Sequence, residues 1–113
     1  MSYSLVSTDE FERQLKRLGK RYGSLREDVR ALLVSLLENP VQGDALGASC
    51  YKVRMAIAAK NKGKSGGARV ITCVKIVGEP VYLLTIYDKS DRESLEPGEL
   101  PILLAQAGLI DKG

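Results

Sequence analysis

Lys52 and Arg54 stand two residues apart, and around them Tyr51, Val53, Met55 and Ile57 alternate with Lys52, Arg54 and Ala56. That period of two predicts a β-strand, and residues two apart on a strand point to one face. Arg69 opens a β-branched stretch beyond a connection rich in Lys and Gly, and Tyr87 and Lys89 close a third, mostly apolar run. Paired side by side, such strands gather three to five of these groups at one edge of a sheet. The set suits phosphodiester cleavage without a metal. A ribose 2′-hydroxyl attacks its own phosphate once a base takes its proton. Arginine holds the charge that builds on the phosphorane in a bidentate fork. A third group then protonates the leaving 5′-oxygen. The base candidates are a lysine, since crowding by other cations favours loss of its proton, or Tyr87.

The charge distribution supports an anionic partner. From Cys50 to Lys75 the chain carries Lys52, Arg54, Lys60, Lys62, Lys64, Arg69 and Lys75 and no carboxylate. The whole chain has 17 Lys and Arg against 14 Asp and Glu, so outside this stretch the balance is acidic. A concentrated basic patch calls for an anion, most often a nucleic-acid backbone. Lys60, Lys62, Lys64 and Lys75 are the expected RNA-binding residues. Lys60, Lys62 and Lys64, on a Gly-rich connection, would position RNA rather than cleave it.

Several classes are excluded. The chain has no histidine, so zinc sites built on His and Ser/His or Cys/His nucleophile pairs are out. Cys50 and Cys73 make neither a CxxC nor a disulfide framework, and reduced cytosolic thiols are expected. The longest apolar run, 31–37, is too short to cross a bilayer, and no signal peptide is expected from the first residues. No cofactor, metal or membrane partner is expected.

At 113 residues one domain over 1–113 is expected. Residues 2–6 read as a short strand. Ser7 and Glu10 are spaced as a capping box before Phe11, Leu15 and Leu18. Ser24 and Glu27 repeat that signal before the stripe Leu25, Val29, Leu32, Leu33, Leu36 and Leu37, which Asn39-Pro40 ends. Residues 41–49 read as a loop, and 61–67 as a flexible connection. Three strands follow at about 51–57, 69–77 and 81–87, with a turn at 78–80. A last helix, with Pro97 at its first position, runs to about Gln106. The predicted order is β-α-α-β-β-β-α: an α+β fold in which a helical hairpin packs on a mixed or antiparallel sheet of about four strands.

Tyr51-Lys-Val-Arg54, Gly-Lys-Ser-Gly-Gly-Ala-Arg-Val-Ile at 63–71 and Leu-Leu-Thr-Ile-Tyr-Asp-Lys at 83–89 resemble the RelE superfamily of bacterial toxins, with the HigB-like branch most similar. Phe11, Leu15 and Leu18, Asn39-Pro40 with Gly43, and Ser94-Leu95 with Glu99-Leu100 extend the resemblance over nearly the whole chain. A Walker loop is excluded, because the Gly-Lys-Ser string lacks the strand–loop–helix frame. The resemblance implies a microbial-ribonuclease-like fold, metal-independent cleavage of mRNA in the ribosomal A site, and neutralisation by an antitoxin encoded nearby. It assigns base and phosphate roles to Lys52, Arg54 and Arg69. The chain departs from the family at its C-terminus, where residues 107–113 offer no Tyr, His or Arg. The general acid then falls to Tyr87 or Lys89. Two other functions remain open: a ParE-like toxin acting on DNA gyrase without nuclease chemistry, and an RNA- or ribosome-binding module.

Overall fold

In the computed structural model, which describes residues 4–74 and 80–110, the change of period near residue 50 divides two helices from most of the sheet. Strand β1 is Leu5–Ser7, followed by helices α1, Asp9–Gly19, and α2, Leu25–Glu38. Then come β2, Asp44–Gly47, β3, Cys50–Met55, β4, Ala68–Cys73, β5, Val81–Asp88, and helix α3, Glu99–Gln106. The sheet has five strands in the order β1-β5-β4-β3-β2. β1 runs parallel to β5 and every other pair is antiparallel. The α+β class and the helical hairpin on one face are as expected.

The α1 and α2 stripes supply one core. Phe11, Leu15, Leu18, Leu25, Val29, Leu32 and Leu36 close over Val53, Met55, Val70, Leu83 and Ile86. On the opposite face α3 brings Leu103 and Leu104 onto Cys50, Ile71, Cys73, Leu84 and Tyr87. β5 does not alternate simply, and a register shift absorbs this. Ile71 pairs with Thr85 and Thr72 with Leu83, so Leu84 is an extra residue. The shift lets Leu83 and Ile86 face the hairpin while Leu84 and Tyr87 face α3.

Four local expectations are corrected. Thr8, not Ser7, caps α1: its hydroxyl accepts from the Phe11 N–H at 3.1 Å, while Ser7 is held in β1 opposite Leu83. The expected loop at 41–49 contains edge strand β2, which turns into β3 through positive φ at Gly47, Ala48 and Ser49. The last helix starts at Glu99 rather than Pro97, after a left-handed Gly98, and it lies across the sheet from the hairpin. Residues 61–67 are no slack hairpin: a short 3-10 turn, Lys64–Gly66, folds back on the sheet. Gly67 makes that possible, because a Cβ there would stand 2.0 Å from the Met55 carbonyl oxygen. The expected turn at 78–80 and the end of the strand expected at 69–77, with Lys75, lie largely or wholly outside the described residues.

Candidate active site

Cross-strand register brings together four of the five residues expected to be catalytic, leaving Lys89 outside the row. Arg54 pairs with Arg69 and Arg69 with Tyr87, one row across β3, β4 and β5. Lys52 stands one step along the same face, opposite Ile71. This is the face that carries α3, and beyond α3 the segment linking β5 to α3 folds back over the row.

Glu93, on that segment, ties the row together. Its carboxylate Oε2 accepts from Arg69 Nε at 3.1 Å. Its backbone carbonyl accepts from Lys52 Nζ at 3.4 Å and from the Tyr87 hydroxyl at 3.2 Å. Lys52 Nζ also donates to Ser94 Oγ at 3.1 Å. Burial would raise the Glu93 carboxyl's pKa, but the charges of Arg69, Lys52 and Lys89 outweigh it and hold the group below its ordinary range.

Arg69 is not solvent-open, as a surface phosphate clamp would be; it is 1% exposed. Nη1 donates to the carbonyls of Lys64 and Ala68, each at 3.0 Å, and Nη2 donates to the Ser65 carbonyl at 3.1 Å. With Nε on Glu93, one of the five guanidinium N–H groups is left for a ligand. The 3-10 turn at Lys64–Gly66 is the cause, since it lays two carbonyls over the guanidinium.

Tyr87 is buried, and burial foremost raises its pKa. The Arg92 guanidinium lies 4.4 Å from the ring centroid and is fixed by Glu99 at 2.6 and 2.9 Å. Its phenol therefore keeps its proton near neutrality, which suits an acid more than a base.

The remaining predicted residues separate into two groups. Exposed Arg54 shares a cleft with Lys64 and with Asp28, Leu32, Ser35 and Gln42. Lys62 and Lys89 border an open polar depression with Lys60, Ser65 and Ser90. The Arg69 turn lies between the two, so the predicted cations spread along one surface rather than meeting at a point.

Lys60 departs from its expected role. Its side chain is 9% exposed, and Nζ sits 2.7 Å from Asp88 Oδ1. Asp88 is fully buried and accepts also from Arg21, Tyr22 and Ser90. Burial opposes its ionisation, yet the hydrogen bonds from Lys60, Ser90 and Tyr22 prevail and hold its pKa far below the ordinary carboxylate range. Lys60 is thus a structural cation beneath the depression. Asp88 and Glu93 were both missed in the sequence, where attention to the cations left the carboxylates that engage them without a role. The clue was an inventory of donors with no acceptor among them. Among the described residues no cluster of metal-ligating side chains occurs.

Solved structures share the fold. A double arginine-to-alanine mutant of the E. coli toxin RelE in the free state is similar with a TM-score of 0.58 and 22% identity, over 95% of this chain and 98% of that one. A family model described as the RelE toxin of the RelE/RelB toxin–antitoxin system matches residues 8–112. With that match spanning nearly the whole sequence, the chain belongs to the RelE toxin family of toxin–antitoxin systems.

Proposed function

We propose that this toxin is a metal-independent, ribosome-dependent endoribonuclease that cleaves mRNA in the ribosomal A site of the cytosol and so halts translation. One observation carries the proposal: Arg54, Arg69 and Tyr87 form a single cross-strand row with Lys52 beside it, flanked by exposed Lys62 and Lys64. Exposed Arg54, Lys62 and Lys64 would form a phosphate-binding track, with Lys52 and Tyr87 beside it as proton donors and buried Arg69 anchoring the row. The Gly-Lys-Ser-Gly-Gly-Ala-Arg69 string supports a place in the HigB-like branch. Family membership implies an antitoxin partner. An acidic segment laid over Lys62, Lys64 and Lys89 would compete with RNA for that surface.

A module that binds RNA or the ribosome without cutting is favoured by one observation, the engagement of Arg69 by Glu93 and three carbonyls. The test is to add purified protein to a cell-free translation reaction and map the mRNA ends. Translation-dependent cleavage supports the nuclease. Inhibition with intact mRNA supports the module.

A further inference from the structure

We infer that Glu93 is the general base of this site, taking the proton from the attacking ribose 2′-hydroxyl. The inference rests on the nuclease function proposed above. Lys52, Arg69 and Tyr87 all act as donors in this arrangement: Lys52 to Glu93 and Ser94, Arg69 to Glu93 and three carbonyls, Tyr87 to the Glu93 carbonyl. Proton abstraction needs a side-chain acceptor, and at this row the Glu93 carboxylate fills that place.

Its geometry fits the task. Arg69 Nε fixes Oε2, while Oε1 receives no hydrogen bond from the described residues. The Glu93 side chain is 53% exposed while its partner Arg69 is 1% exposed, so a buried arginine holds one oxygen of a carboxylate that stays open to solvent. The backbone of the same residue is held by Lys52 and Tyr87, which fixes the carboxylate relative to both. The charged and titratable groups around it are Arg69 from β4, Lys52 from β3, Tyr87 from β5, and Lys89 and Arg92 from the connecting segment, with Glu99 of α3 behind Arg92. The cations hold its pKa down, so it is ionised at neutral pH; the same shift weakens it as a base, and its leverage would come from placement.

The step balances. Glu93 Oε1 takes the 2′-hydroxyl proton, O2′ forms a bond to phosphorus, and the bond from phosphorus to the 5′-oxygen breaks with its electron pair. The Tyr87 hydroxyl, whose proton burial retains near neutrality, gives the leaving oxygen a proton. The products are a 2′,3′-cyclic phosphate and a 5′-hydroxyl, and water returns the protons to their starting places.

The test compares wild type, Glu93→Gln and Glu93→Ala in single-turnover cleavage of ribosome-bound mRNA, with thermal melts confirming the fold. Glu93→Gln keeps an acceptor for Arg69 and is expected to cleave about 10²–10⁴-fold more slowly with unchanged ribosome binding. Its rate should rise about tenfold per pH unit, because hydroxide replaces the missing base, while wild type stays flat near neutrality. Added formate should restore part of the Glu93→Ala rate. A Glu93→Gln protein as fast as wild type, or faster, overturns the inference and makes the carboxylate an internal competitor of phosphate. A slow variant with a flat pH profile and no formate rescue also overturns it, leaving Glu93 a positioning residue. Absence of cleavage by wild type removes the nuclease function itself and the base with it.

Discussion

Replacing Asp88 with alanine should be among the most damaging single changes outside the apolar core. The carboxylate is wholly buried, with Lys60 Nζ at 2.7 Å and Arg21 Nη1 at 3.0 Å. The two cations would respond differently to its loss. Arg21 is 44% exposed and still has Asp91 at 3.3 Å, so it can turn to solvent. Lys60 is 9% exposed and has no second carboxylate among its hydrogen-bond partners, so it is left as a buried, uncompensated charge. Removing one partner of such a pair costs about 3–5 kcal/mol. Unfolding entropy for a domain of this size is about 0.24 kcal/mol/K, so a loss of about 4 kcal/mol lowers Tm by about 17 °C. Urea titration and thermal melts of Asp88→Ala measure this directly. The double variant Lys60→Met with Asp88→Ala should recover most of the loss, since no charge is then stranded. A single-variant cost below about 1 kcal/mol, or a double variant no better than Asp88→Ala, would refute the assignment. The pH dependence follows in sign. A carboxylate with a depressed folded pKa contributes stability that is complete above its ordinary value near 3.8 and is lost as pH falls through the lower folded value. Wild type should therefore lose stability steeply in acid, and Asp88→Ala less so.

Arg69→Ala should reduce stability by about 2–3 kcal/mol, because it strips the donors from the Lys64, Ser65 and Ala68 carbonyls, so loss of toxicity must be read beside a melt. Neutralising Lys62 and Lys64 together should flatten the log–log salt dependence of ribosome or RNA binding by roughly one to two units, with Tm unchanged. Neutralising Lys60 should instead lower Tm. Gly67→Ala, whose Cβ meets the Met55 carbonyl oxygen at 2.0 Å, should cost about 1–3 kcal/mol and lift the Lys64–Gly66 turn, seen as faster amide exchange there.

Much of the scaffold was legible because it depends on local period. The leucines of α2 repeat every three or four residues and become a core stripe, and the Lys52–Arg54 alternation becomes one face of β3. β2 was not legible, because Asp44-Ala-Leu-Gly lacks β-branched residues and is held by pairing with a strand that precedes no other signal for it. The face shared by Lys52 and Arg54 followed from alternation and the place of Arg69 beside them from the family resemblance, but the burial of Arg69 followed from neither. That depends on Glu93, far along the chain, and on carbonyls brought over by a turn. Lys60 is the same case with Asp88. Charge patterning counts cations without showing which ones an internal carboxylate has already engaged.

The parallel pairing of β1 with β5 has a consequence for synthesis. Leu5 waits for Val81 and Ser7 for Leu83, and α1 packs against the same strand. The amphipathic helices leave the ribosome early, yet the strand that seals their apolar faces arrives last among the five. Closure of so long a loop precedes its reward, which makes sheet completion a late and slow event. The row of Arg54, Arg69 and Tyr87 likewise does not exist until β5 has emerged, so no partial chain carries the assembled site. A nascent chain stalled before β5 would display the unsealed faces of α1 and α2, a natural target for chaperones and proteases.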